Sequence, residues 1–294
     1  MEITQKLYKG KVEIRFLGPT DEMPNRHMYF IDKKRKTGTT TYLSIIDKSS
    51  ALVGWAVDLA LNYLREPRIT RMESSYVITE EDLYQASIQH TIKKMEAANI
   101  GTISHDWIEK YIDSLTVAPK YRKVPEMPET KEVQIAVNAF LDWEKANDVK
   151  FLSSERLVYS KKHDYIGTLD IEAKVNGKLC LIDIKTSNNI YNNYALQTAA
   201  YLKADEEESG KKYKGRWIIR LAKETEKEYE QRMDRKNLDR ARKGSTTFTP
   251  PPYQVFEARY LDEEECIDRD FKAFLAAKSL YEWNQKTGFW ANKE

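Results

Sequence analysis

The chain has 294 residues, 41% hydrophobic and 32% charged, which is enough for one large domain or two small ones with a substantial core and excludes wholesale disorder. With 48 Lys and Arg against 46 Asp and Glu the formal net charge is only +2, so any nucleic-acid footprint must be local. Cys180 and Cys266 are too few for an all-cysteine iron–sulfur cluster and read as free thiols, although two could pair; no apolar run is long enough to span a bilayer and the start, MEITQKLYKGKVEIRF, is not a signal peptide, which predicts no membrane association and an intracellular, cytoplasmic location.

The alternation Lys11-Val12-Glu13-Ile14-Arg15-Phe16 and its counterpart from His27 to Asp32 predict an N-terminal β-hairpin. Beyond Asp47-Lys48-Ser49-Ser50, residues 51–65 place Leu52, Trp55, Ala56, Leu59, Ala60 and Tyr63 at helical spacing, an amphipathic helix that ends before Pro67. A second helix enters at Thr79-Glu80-Glu81-Asp82, resembling a capping box, and is expected to stop at Asn99 and Gly101. A third, 104–115, follows at once. Pro119, Pro125 and Pro128 mark a loop, and 133–146 returns to helical period. From Phe151 the texture changes to short runs rich in branched residues: strands at 156–159, 167–175 and 179–184, the last two joined by Asn176-Gly177, the strongest short hairpin signal. A helix at 194–204, a strand at 216–221, a charged stretch at 223–243, a Pro250-Pro251-Pro252 break, a strand at 253–260 and a helix at 262–283 complete the chain. The expectation is an α/β fold with a central mixed β-sheet flanked by helices: a mostly helical region, 1–148, opened by the hairpin, and a sheet-bearing region, 149–294, within one compact unit.

The chemistry concentrates in Gly167-Thr168-Leu169-Asp170 and Asp183-Ile184-Lys185-Thr186. Antiparallel pairing across Asn176-Gly177 would set the Asp170 and Asp183 carboxylates side by side, an arrangement that invites a hard divalent cation. Lys185, two residues after Asp183, points to the same face of its strand. Phosphodiester hydrolysis needs an activated water, neutralisation of developing charge and help for the leaving oxygen, which a metal and a nearby lysine supply. The carbonyl of Ile184 is a further candidate ligand. Taken alone, Asp-x-Lys reads more readily as an ordinary ion pair on a surface strand; with Gly-x-x-Asp across the hairpin the two readings stand level.

Together with their surroundings these motifs resemble the RecB-type branch of the PD-(D/E)XK nucleases, which includes CRISPR-associated, mitochondrial genome maintenance and phage exonucleases. The resemblance runs from about His27 to Trp283. It rests on Gly101-Thr102-Ile103-Ser104-His105 opening a helix, on Glu155 heading a strand before Gly167-Thr168-Leu169-Asp170, on Asp183-Ile184-Lys185-Thr186-Ser187, and on Tyr194 to Tyr201, similar to the family's Gln-x-x-x-Tyr helix. Two residues depart from the superfamily name: Leu169 stands where proline is expected, and Asp183 where glutamate is common.

The resemblance implies a restriction-endonuclease-like core and a DNA exonuclease that uses Mg²⁺ or Mn²⁺. It implies His105, Asp170 and Asp183 as metal ligands, beside the Ile184 carbonyl already noted, and Lys185 acting on water and phosphate. Glu155 would support the site through a water on the metal or by contact with a ligand. Gln197 and Tyr201, one helical turn apart, would contact substrate or orient the lysine. Alternatives from the residues themselves stay open: an ion-paired helix histidine for His105, a solvated carboxylate for Glu155, and helix-to-sheet packing for Gln197 and Tyr201. The charged stretch reads as a solvated helix laced with ion pairs, or as a flap over nucleic acid. Single-stranded DNA or DNA ends are the implied partner, with recombination, replication or repair proteins beside it. An endonuclease of the same fold and a catalytically silent nucleic-acid-binding protein are the competing functions.

Overall fold

In the computed structural model, which describes residues 2–18, 20, 22–23, 26–46, 49–65, 71–72, 75–117, 119–242 and 244–287, the expected hairpin is the middle of a four-stranded antiparallel sheet. Its strands are β1 (Glu2–Leu7), β2 (Val12–Leu17), β3 (Met28–Ile31) and β4 (Lys34–Lys36), in that order. The alternating residues Val12, Ile14, Phe16, Tyr29 and Ile31 form one apolar face, which packs on Leu157, Tyr159 and Ile166 of the large sheet. A short helix α1 (Thr39–Tyr42) and a 3-10 turn (Leu43–Ile45) follow, then helix α2 (Ser49–Leu64) and the two-residue strands β5 (Arg71–Met72) and β6 (Ser75–Tyr76).

Where two helices were expected, separated at Asn99 and Gly101, a single helix α3 runs from Glu80 to Thr116. Its start is capped reciprocally, with the Asp82 amide donating to Thr79 Oγ1 at 3.1 Å and the Thr79 amide to Asp82 Oδ2 at 2.9 Å. A glycine within a helix costs only about 1 kcal/mol, and no proline interrupts 80–116. Two weak breakers therefore do not stop it.

Helix α4 (Lys131–Lys145) leads into the five-stranded sheet, formed by β7 (Val149–Ser160), β8 (Tyr165–Val175) and β9 (Lys178–Lys185), then helix α5 (Asn192–Ser209), β10 (Gly215–Leu221), helix α6 (Glu226–Arg242), β11 (Phe256–Asp262) and helix α7 (Glu263–Thr287). The order is β11-β10-β9-β8-β7, with β9 and β10 parallel and the other pairs antiparallel. This is the mixed α/β class expected. Asn176 (φ 50°) and Gly177 (φ 77°) both take positive φ, as the tight turn that pairs Val175 with Lys178 requires.

Compactness divides the chain into Met1–Ile45 with Ser104–Glu294, and Ile46–Ile103. The change of texture at 148–149 is not such a boundary. Phe140 and Trp143 of α4 are fully buried and meet Phe151 of β7 and Trp217 of β10 at ring separations of 6.0 and 6.1 Å. Helix α4 thus belongs to the core of the large sheet. No helix among the described residues is long and apolar enough to cross a membrane.

Candidate metal centre

The β8–β9 ladder runs from the tight turn up to Ile171 opposite Ile182. Asp170 and Asp183 stand one residue further, at the ladder's open end, and Asp183 pairs on its other side with Ile218 of β10. Asp170 Oδ2 accepts a hydrogen bond from the Ile184 amide at 2.8 Å. Ile184 thus takes part through its N–H and is among the residues that line the small cavity with Asp170. The Asp183 carboxylate is fully buried and lies 2.6 Å from Lys185 Nζ. Beyond that contact neither Asp183 oxygen has a hydrogen-bond partner among the described residues.

Glu155 arrives by a backbone device. On β7, Ser154 pairs with Ile171 and Arg156 with Leu169, and Glu155 between them adopts φ 44°, in the left-handed region that non-glycine residues enter at a cost. Far from heading the strand, it interrupts the middle of β7. Its Oε1 lies 3.7 Å from His105 Nδ1, and Asp170 Oδ2 lies 3.8 Å from the same nitrogen. One ligand atom from each of His105, Glu155 and Asp170 falls within 4.8 Å of the others. Asp183, expected among the ligands, is outside this trio, and Glu155, expected beside it, is inside.

His105 projects from α3, and Glu109, one turn on, lines the same cavity with Ile108, Ser154 and Ile171. Ser154 Oγ donates to Asp113 Oδ1 at 3.1 Å, a further turn along α3. Gln197 and Tyr201 on α5 are brought to the site but are largely buried. The Gln197 amide donates to the Tyr201 hydroxyl at 3.0 Å, and the Tyr201 ring occupies the space that a Cβ on Gly167 would need. That residue must be glycine for the helix to close on the strand. Both side chains therefore shape the wall behind Thr168 and Asp170.

Three neighbours escape a sequence reading. Lys185 Nζ lies 5.0 Å from the centre of the Tyr194 ring, an aromatic seat for the ammonium. The Tyr29 hydroxyl, from the small sheet, lies 3.1 Å from Thr168 Oγ1 and 2.7 Å from His27 Nε2. Glu109 is the third. The helical offsets 105 and 109 are visible in the sequence, but their meaning depends on α3 lying over β7.

Burial raises the Asp170 carboxyl pKa, against the pull of His105 and Lys185. For Asp183, burial pushes it up to about 6 although Lys185 opposes the shift. In His105 burial works against protonation, but Asp170 and Glu155 outweigh it and the net direction is upward. The same contest leaves Lys185 above its ordinary value, with Asp183 and Asp170 overcoming desolvation. Negative charge is thus crowded into a space that burial makes hostile to it, and the trio supplies two carboxylates and an imidazole, a donor set suited to a divalent cation.

Compared with protein-family models and with curated proteins, the chain matches none.

Proposed function

We propose that this protein is a Mg²⁺- or Mn²⁺-dependent deoxyribonuclease of the PD-(D/E)XK type, an exonuclease acting on single-stranded DNA or DNA ends. The observation that carries the reading is the meeting of a three-ligand cluster with a buried Asp183–Lys185 pair at the open end of one hairpin. Either half alone occurs on ordinary protein surfaces.

His105, Glu155 and Asp170 would hold the ion, with Asp183 next to them and free to join through an oxygen that has no other partner. A bound divalent ion supplies neutralisation of phosphate charge and acidifies water. Lys185, its pKa raised by Asp183 and Asp170, stays an ammonium at neutral pH. It would therefore donate hydrogen bonds to the attacking water or to a phosphate oxygen. Burial of Asp183 and the wall made by Tyr201 and Gln197 keep the centre poorly hydrated, which strengthens each of these contacts. The DNA partner and a place in recombination, replication or repair belong to the same proposal.

Purified protein with Mn²⁺ is expected to degrade DNA labelled separately at each end. EDTA should stop the reaction, and Asp170→Ala or Lys185→Ala should slow it roughly 10²- to 10³-fold or more, as loss of a charge-stabilising group does. Undiminished cutting by those variants overturns the assignment. The ladder from each label reads polarity and separates an exonuclease from an endonuclease.

A further inference from the structure

Helix α6 leaves the sheet beside the metal centre. In the parallel β9–β10 pair Arg220 stands opposite Lys185, β10 ends one residue later, and α6 begins at Glu226. Its base is fixed: Thr225 and Glu228 cap each other, with the Thr225 amide donating to Glu228 Oε2 at 2.8 Å, and Lys131 of α4 reaches Glu228 at 2.6 Å. At 1.5 Å per residue the helix then extends for about 25 Å.

The chain returns along it in a segment tied to the helix. Asn237 exchanges two hydrogen bonds with the backbone of Phe248, at 2.8 and 3.0 Å, Arg240 Nε donates to the Thr246 carbonyl at 2.6 Å, and the Tyr229 hydroxyl donates to the Pro251 carbonyl at 2.7 Å. Helix and return segment together form an arm with its own hydrogen-bond framework.

Cations gather on the outer half of this arm. At 100° per residue, Arg235, Lys236, Arg240 and Arg242 fall within an arc of about 160°, which in that half of α6 also holds one acid, Asp239, while Glu230 and Asp234 lie on the other side. All four cations are exposed. Arg242 approaches Asp239 at 3.5 Å, and among the described residues no carboxylate pairs with Arg235, Lys236 or Arg240. The helix macrodipole accounts for acids in the first turn and bases in the last. It does not account for three of these cations having no carboxylate partner among the described residues, nor for Phe248 lying beneath Lys236 and Arg240, at 5.2 and 5.9 Å from its ring centre. One ring thus holds two exposed cations near each other, which serves contact with an extended polyanion.

We propose that this face of the arm grips the sugar–phosphate backbone of the DNA strand whose end the metal centre takes. The identity of the strand rests on the nuclease reading. The test uses the full-length protein and a short fluorescein-labelled oligothymidylate, with binding followed by anisotropy in EDTA so that nothing is cut. Arg235→Gln/Lys236→Gln/Arg242→Gln should weaken binding about 10-fold or more at low salt, and should flatten the plot of log affinity against log salt by about 2, at roughly 0.7 for each lost phosphate contact. Arg235→Gln alone should remove about 0.7, which keeps the proposal testable if the triple variant misfolds. Glu230→Gln/Asp234→Gln, on the opposite face, should leave the slope in place. Unchanged affinity and slope in the cationic-face variants, or an equal loss from the acidic-face variant, overturns the proposal. Failure of the nuclease reading would show differently, as unaltered protein that binds the oligonucleotide through these residues and never cuts it when Mn²⁺ is supplied.

Discussion

The hairpin β8–β9 and the helix α2 are both apolar in sequence, yet only the first hides its apolar residues. Leu169, Ile171, Ala173, Leu181 and Ile182 are at most 1% exposed. In α2, whose one charged residue is Asp58, Leu52, Val53, Trp55, Val57 and Leu61 are between 39% and 62% exposed. Apolar content alone does not fix a segment in a core. In the hairpin, backbone register locks every side chain to one face of the sheet, and helices cover both faces. The same over-determination lets that region hold a fully buried Asp183, and an equally buried Arg216 paired with Asp270 at 2.8 Å, because neighbours compensate each charge.

Truncation breaks or sharpens this contrast most directly. Phe140→Ala removes a fully buried ring that meets Tyr111, Trp143 and Phe151 and should destabilise the protein by about 3–5 kcal/mol in urea denaturation. Leu61→Ser in α2 should change stability by no more than about 0.5 kcal/mol. Comparable losses would mean that the two regions are equally packed and that the contrast is false.

A smaller effect is expected where packing meets the site. In Gly167→Ala the new methyl would meet the Tyr201 ring, forcing α5 outward at a cost of about 1–3 kcal/mol. Cleavage should fall with it, since Tyr201 and Gln197 wall the centre. Loss of activity without loss of stability would instead place Tyr201 in direct contact with substrate.

Much of this was legible in the sequence, for physical reasons. Short apolar runs rich in branched residues and Asn176-Gly177 identify β8, β9 and their turn, and the turn sets Asp170, Asp183 and Lys185 at one end. Of the strands missed, the two at the edges of the small sheet have little apolar signal: β4 is Lys34-Arg35-Lys36, and β1 carries Glu2, Thr4, Gln5 and Lys6. Charged edges of this kind are what an edge strand needs to avoid pairing with other chains. Glu155 was legible as a candidate but not as a member of the trio. Its place depends on one left-handed residue inside β7, and no local pattern announces a backbone cost borne by tertiary packing.

The smallest expected effect concerns Glu109 and pH. Its carboxyl is raised from 4.5 to about 7, first by burial and then by Glu155, Asp113 and Asp106. A folded-state value above the unfolded one means that the native protein holds this proton more tightly. The resulting stabilisation is complete below about 4.5 and is lost as pH rises towards 7. Asp183, raised to about 6 by its own burial, adds to the lower part of the same window. The melting temperature of the protein in EDTA is therefore expected to fall between these limits, and Glu109→Gln, which cannot ionise, should flatten the upper part of the fall. Mn²⁺ should raise the melting temperature most near pH 7, where the crowded carboxylates are ionised and have most to gain from a cation. An identical decline in Glu109→Gln would show that this carboxylate, although it lines the cavity, feels neither its burial nor the charge of Glu155.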